Sequence, residues 1–159
     1  MKVLLLGRTG QVGLALQESL RPLGAVISLA RAQLDLCDVE AVRTCVRELA
    51  PQVVVNAAAY TAVDQAEAEQ AQALRVNVDA VAALANAAIE VGALLVHYST
   101  DYVFDGTKET AYVEEDMPRP LNVYGRSKLL GEIAVRESRC DHLVLRTGWV
   151  YSACGTNFP

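Results

Sequence analysis

The sequence predicts a doubly wound α/β fold, a parallel sheet with helices on both faces. Three observations carry this. Apolar runs of strand length alternate with helix-period segments along the whole chain, which is the pattern of βα units and not of hairpins. The runs are apolar at successive positions, as strands covered on both faces are. The first run, Lys2-Val3-Leu4-Leu5-Leu6, passes straight into Gly7-Arg8-Thr9-Gly10-Gln11-Val12-Gly13 and then a helical pattern of Val12, Leu16, Leu20 and Leu23. With 159 residues, 52% hydrophobic and 21% charged, the chain suffices for one folded domain, taken as residues 1–159.

The glycine stretch has its own physics. A helix N-terminus presents N–H groups without internal partners, and its macrodipole points positive end outward. Gly7, Gly10 and Gly13 remove the Cβ atoms that would keep a pyrophosphate away. The spacing is G-x-x-G-x-x-G and not the strict G-x-G-x-x-G, yet its position after the first strand points to a dinucleotide site. Gly24 is expected to close the first helix as a left-handed cap. Ala25 to Ala30 is a second strand, and Arg31 follows it. An acid there would bind a ribose 2′-hydroxyl, whereas an arginine accommodates a 2′-phosphate and leans toward NADPH. A solvated surface arginine is the competing reading.

Asp38 is a good N-cap for a helix with apolar face Val39, Val42, Val46 and Leu49. Asp35 is not placed as a cap; it accepts either from an adenine edge or from nearby backbone. Pro51 marks a break before a third strand, Gln52 to Asn56, which ends in Ala57-Ala58-Ala59-Tyr60-Thr61. Small residues at a strand's carboxyl end leave room for a flat ligand where open α/β sheets bind, or for close helix–sheet packing. Residues 64–91 read as a long helical region with a break near Asn77, an acidic start at Asp64, Glu67 and Glu69, and a stop at Gly92. A fourth strand, Ala93 to Ser99, leads into Thr100-Asp101-Tyr102. Residues 105–120 are a surface loop of a length that often has a function. A helix begins near Tyr124 and runs to about Arg139, and His142 to Val150 is a fifth strand.

Composition excludes several classes. There are 14 Lys+Arg against 19 Asp+Glu, a net charge of −5, and no basic run, so no nucleic-acid partner is expected. No apolar run approaches the roughly 20 residues of a membrane span, so no membrane partner is expected either. Cys37, Cys45, Cys140 and Cys154 show no C-x-x-C spacing and read as reduced thiols of a cytoplasmic protein, Cys37 and Cys45 at buried helix or strand ends. No cluster with metal-ligand spacing is evident.

Tyr124 and Lys128 stand four apart on one helix, hence on one face. A free tyrosine, with a pKa of about 10, is a poor acid–base group at neutral pH. A lysine cation beside it favours the phenolate, and a shift of three units requires about 4 kcal/mol. Alone, Y-x-x-x-K is a common surface pair. Here it follows a dinucleotide loop and a strand that ends in the hydroxyls of Ser99 and Thr100.

These stretches together resemble the extended short-chain dehydrogenase/reductases. The resemblance is carried by Gly7 to Gly13, Val55-Asn-Ala-Ala-Ala-Tyr-Thr-Ala-Val-Asp64, Tyr98-Ser-Thr-Asp-Tyr-Val-Phe-Asp-Gly106, Pro120-Leu-Asn-Val-Tyr-Gly-Arg-Ser-Lys128 and Leu145-Arg-Thr-Gly-Trp-Val-Tyr151. It implies a Rossmann fold, NADPH or NADH as cofactor, and reduction of a nucleotide-sugar substrate, and it leaves a homodimer open. It implies that Tyr124 gives a proton to a carbonyl oxygen, that Lys128 lowers the phenol's pKa and holds the nicotinamide ribose, and that Thr100 hydrogen-bonds the reacting oxygen. By the same resemblance Gln11, Val12, Asp35, Leu36, Ala59, Tyr60, Thr61 and Tyr102 line the cofactor. Family enzymes run well over a hundred residues longer, so residues 1–159 are expected to hold the cofactor half and little of the substrate pocket. A second reading is a non-catalytic NADP-binding subunit, like the regulatory subunit of methionine adenosyltransferase, which resembles these reductases. A dehydratase is disfavoured, because Asp101 is followed by Tyr102 and not by a second acid.

Overall fold

The computed structural model describes residues 1–152; Cys154 lies outside them. Five strands form one sheet in the order β2-β1-β3-β4-β5, and every neighbouring pair is parallel. In chain order the strands are β1 (Lys2–Leu6), β2 (Ala25–Leu29), β3 (Val53–Asn56), β4 (Leu94–Thr100) and β5 (His142–Thr147). The main helices are α1 (Gln11–Ser19), α2 (Val39–Leu49), α3 (Val63–Ala66), α4 (Gln70–Leu74), α5 (Ala80–Val91) and α6 (Val123–Ser138). The strand order reverses on either side of β1, which opens a crevice at the carboxyl ends of β1 and β3.

Strand alternation sends Leu4 and Leu6 to one face of the sheet and Val3 and Leu5 to the other. Leu4 and Leu6 pack with Val42 and Val46 of α2 and Leu84 of α5. Val3 and Leu5 pack with Leu16 of α1 and Leu20. Asp38 caps α2 as expected, its side chain accepting from the Ala41 N–H at 3.0 Å. Gly92 is the left-handed stop of α5, with φ +66°.

Several expectations need correction. The first helix ends at Ser19, and a short 3-10 turn, Arg21–Leu23, carries Pro22. Gly24 then lies at φ +140° and ψ −147°, outside the left-handed helical region; glycine is required there because a Cβ would sit 2.1 Å from the Met1 carbonyl oxygen. The second strand is an edge strand, so none of its residues is fully buried, despite its apolar sequence. The fifth strand stops at Thr147, where its partner β4 ends at Thr100, and Trp149 two residues on has a positive φ of 52°. Cys37 and Cys45 are only partly buried, while Cys140 is buried; all three are free thiols.

The helical region 64–91 is broken as the sequence suggested, and the break has a specific form. Arg75–Asp79 is one π-helical turn between α4 and α5. Such turns are rare and cluster at functional sites. This one directs the buried side chain of Asn77 toward α6 and the loop after β3.

Candidate functional site

A cleft of about 1300 Å³ runs along the carboxyl ends of the strands. Its floor is the glycine turn. Gly7 has φ +84°, and a Cβ there would meet the Ala58 nitrogen at 2.7 Å. A side chain at residue 7 would therefore push apart the β1 and β3 ends. Gly10 occupies the N-cap of α1 and offers no side-chain cap, so the first N–H groups of that helix are not covered from their own N-cap. That is the donor set an anionic group needs. Gly10, Gln11 and Val12 line the cleft.

Gly13 does not line it. It is buried in α1, where a Cβ would lie 2.1 Å from the Gly7 carbonyl oxygen. Its role is to let the helix close on the turn, which shapes the cradle without touching its contents.

On the far side of β2, Arg31, Asp35 and Leu36 form the rim. Arg31 is exposed and pairs with Asp35 at 3.6 Å. The backbone bond expected of Asp35 is present: its Oδ1 accepts from the Cys37 N–H at 3.0 Å. That bond, reinforced by Arg31, holds its carboxyl below the ordinary value despite partial desolvation. Ala59, Tyr60 and Thr61 form the wall after β3. The Tyr60 hydroxyl donates to Glu69 at 2.8 Å, so the acidic start of the helical region braces this wall.

Thr100, Tyr102, Tyr124 and Lys128 meet at the opposite end. Thr100 ends β4, and its hydroxyl oxygen accepts from the Tyr102 N–H at 3.2 Å. The Tyr102 ring meets the Tyr124 ring edge-on, centroids 5.6 Å apart. Gly125 permits this, since a Cβ there would lie 2.3 Å from the Tyr102 carbonyl oxygen. The start of α6 is held by two side chains: Asn122 accepts from the Gly125 N–H at 2.7 Å, and Glu67 accepts from the Val123 N–H at 2.8 Å. Tyr124 is thereby fixed one residue beyond a doubly capped helix start.

The electrostatics depart from the sequence expectation. Burial pushes the Tyr124 phenol above its ordinary value; the Thr100 hydroxyl pulls it back, and Asp101 adds to the rise. Lys128 is not among the groups that move it. Its ammonium donates instead to the Tyr98 carbonyl at 2.7 Å, on a side chain 2% exposed. Burial lowers Lys128 itself to about 8, with Glu132 opposing.

Sequence reading passed over the residues behind these. Asn77 is a two-sided brace: its Oδ1 accepts from the Tyr60 N–H at 2.9 Å, and its Nδ2 donates to the Tyr60 carbonyl and to the Ser127 hydroxyl. Ser127 donates in turn to the Tyr124 carbonyl at 2.7 Å. Glu132, fully buried, accepts from Ser99 at 2.6 Å and from Arg146 at 2.9 and 2.7 Å. Their signal in the sequence was a polar residue inside an apolar strand or helix face, as at His97 and Asn77.

Fold and site together define the class, a Rossmann-type α/β domain with a glycine-turn cradle and a tyrosine–lysine pair at one cleft. The chain belongs to the family described as the RmlD substrate binding domain, whose model matches residues 1–159. It is 55% identical over 158 residues to a dTDP-4-dehydrorhamnose reductase of Burkholderia thailandensis, covering 99% of this chain and 53% of that protein. It is 50% identical over 162 residues to the reductase of the same name from Shigella flexneri, covering 99% of this chain and 54% of that one. Among solved structures, dTDP-4-dehydrorhamnose reductase of Bacillus anthracis in complex with NADP superposes with a TM-score of 0.94 at 39% identity, over 98% of this chain and 56% of that one. The chain thus spans about half the length of the curated relatives it matches.

Proposed function

We propose that the protein uses NADPH or NADH to reduce dTDP-4-dehydro-β-L-rhamnose to dTDP-β-L-rhamnose. The observation that carries this is the joining of two chemistries in one cleft: an anion cradle at Gly7 to Val12, and Thr100, Tyr124 and Lys128 at its other end. The names of the relatives supply the substrate. The dinucleotide supplies a hydride when bound; the rest belongs to this chain.

The N–H groups at the start of α1, where Gly10 brings no side-chain cap, would hold the pyrophosphate. Ala59 to Thr61, held through Tyr60 by Asn77, form the wall that would take the cofactor's rings. Lys128 would hold the nicotinamide ribose. Thr100 orients the C4 carbonyl oxygen, and the Tyr124 hydroxyl donates its proton there as negative charge develops. A phenol kept protonated by burial is suited to the acid's role in the reductive direction. Most of the nucleotide-sugar pocket would come from sequence that the relatives carry outside the half matched here. Because the reaction draws on NAD(P)H and a nucleotide sugar, this reading puts it in the cytoplasm. Among the described residues no helix is long and apolar enough to cross a membrane. The complete Thr100, Tyr124 and Lys128 set and the relatives' names favour an enzyme over a non-catalytic NADP-binding subunit.

Arg31 tests the cofactor assignment. It stands on the cleft rim, exposed, with a weak ion pair to Asp35 at 3.6 Å among the described residues, which leaves it open to a 2′-phosphate. Arg31→Ala is expected to weaken NADPH about tenfold and leave NADH nearly unchanged, the size of one charge-assisted hydrogen bond. Titrating both cofactors against both proteins measures this. An unchanged NADPH/NADH ratio would remove Arg31 from the site.

A further inference from the structure

Two buried side chains behind the cleft, which the proposed chemistry does not use, lead in a line to Lys128. Asn56 ends β3, His97 lies in the middle of β4, and Lys128 projects from α6. Asn56 and His97 are 0% exposed. The Asn56 Nδ2 lies 3.2 Å from the His97 Nδ1, and the His97 Nε2 lies 3.5 Å from the Lys128 Nζ.

The backbone fixes the direction of this line. The Asn56 Oδ1 accepts from the Ala58 N–H at 3.2 Å. Turning the amide over would set its NH2 against that N–H, so its NH2 must face the imidazole. The His97 Nδ1 is then the acceptor, and a neutral ring carries its proton on Nε2. Burial, with the Lys128 charge, disfavours the imidazolium. The Nε2–H therefore points at the Lys128 nitrogen, a donor facing a donor whenever Lys128 is an ammonium. The two lie 3.5 Å apart, beyond ordinary N–H hydrogen-bond range, whereas the Tyr98 carbonyl on the same ammonium is at 2.7 Å. Only the neutral amine offers Nε2–H a lone pair.

We propose that Asn56 and His97 form a tautomer lock that makes the charge on Lys128 conditional, by aiming an N–H where a lysine would ordinarily find an acceptor. Both are positioning residues, acting through Lys128. The other groups around it do not replace the lock. Glu132, one turn along α6, favours the ammonium but is engaged by Arg146 and Ser99. Tyr124, one turn back, stays protonated through burial. Asp101 faces Tyr124 and Thr100. The consequence for turnover rests on the reductase reading; the lock itself does not. If that reading holds, reduction falls as pH rises through about 8, because Lys128 loses its charge.

The chain suits a direct test. It has two histidines and three lysines, Lys2, Lys108 and Lys128. In the protein without cofactor, 15N NMR of labelled histidine is expected to show His97 protonated at Nε2 and bare at Nδ1. His142 serves as the opposite reference, since its Nδ1 faces the Cys140 carbonyl at 2.7 Å. A His97 protonated at Nδ1, or at both nitrogens at neutral pH, overturns the lock. Asn56→Asp replaces the donor with an acceptor and should move the proton to Nδ1, so that Nε2 accepts from Lys128. The 13Cε titration midpoint of Lys128, about 8 in the wild type, should then rise by at least about one unit, a tenfold change in its proton affinity. A midpoint that stays put contradicts the proposal. A midpoint that rises with the tautomer unchanged also contradicts it, because added charge alone is then the cause. If Asn56→Asp does not fold, the wild-type tautomer still decides. None of these readings needs a bound dinucleotide, so failure of the reductase assignment would be seen separately, in cofactor titrations.

Discussion

Tyr124→Phe is expected to lower kcat for reduction of dTDP-4-dehydrorhamnose at least about a hundredfold in the protein carrying this sequence, with little change in NADPH affinity. A positioned general acid contributes roughly 10² to 10⁴ in rate, and the substitution removes only the hydroxyl. The ring should stay in place. Its edge contact with Tyr102 needs no hydroxyl, its backbone carbonyl still accepts from Ser127, and Asn122 and Glu67 still hold the helix start. Steady-state kinetics with cofactor titration separates the two effects. Near-normal turnover would show that another group donates the proton. A parallel loss of NADPH binding would show that the ring, and not the acid, had been lost.

Arg146→Ala is expected to destabilise the fold by about 3–5 kcal/mol, the cost of stranding one partner of a buried ion pair. Glu132 has a side chain 1% exposed, and Arg146 is its bidentate partner from β5. Arg136 reaches Glu132 only at 3.7 Å from an exposed position and cannot take over. The pair ties the edge strand to α6 immediately behind Ser99 and Thr100, so its loss should loosen the catalytic end of the cleft first. The pH dependence has a definite sign. Burial raises the Glu132 carboxyl, but its bonds from Arg146 and Ser99 outweigh that and leave it below the ordinary 4.5. Its contribution is therefore present above about pH 4.5 and lost as pH falls through the lower folded value. The deficit of the variant should be full at pH 7 and shrink in acid, where a protonated Glu132 needs no cation. Urea unfolding at pH 7 and pH 4 measures it; a deficit equal at both values would mean that packing and not charge was lost.

The parts of the fold that local chemistry dictates were legible in the sequence. Apolar runs located all five strands, Asp38 and Gly92 announced a helix start and stop, and the glycine turn announced itself by position. Where the sequence misled, a tertiary fact decided. Gly24 stands by a close approach to Met1 and not by a helix cap, and an apolar second strand lies at the sheet's edge. The same holds at the site. The site residues named from the sequence, Gly13 apart, all line the cleft, because their neighbours in sequence share it. Gly13 was named with them but packs against the Gly7 carbonyl of the turn, since only the three-dimensional turn shows which glycine faces the cleft and which approaches backbone. Asn77, His97 and Glu132 act across 17 to 50 residues of chain, a relation that spacing along one helix or strand does not reveal. The Tyr124–Lys128 spacing brings both side chains to the cleft, yet the lysine ammonium is held by the Tyr98 carbonyl in the folded chain and not by the phenol.

The most direct test of the account is whether the cleft takes up a reduced dinucleotide. Trp149, the single tryptophan, lines that cleft close to the tyrosine–lysine end, so its emission can be passed to a nicotinamide bound there. Titration of NADPH into the protein, exciting Trp149 and reading nicotinamide emission, should give a saturable signal with one site per chain, and Gly10→Asp, which sets a negative charge at the mouth of the anion cradle, should abolish it. A folded wild-type protein that shows no saturable transfer, or a Gly10→Asp variant that binds NADPH as well as the wild type, would contradict the claim that the glycine turn and the tyrosine–lysine pair serve one dinucleotide.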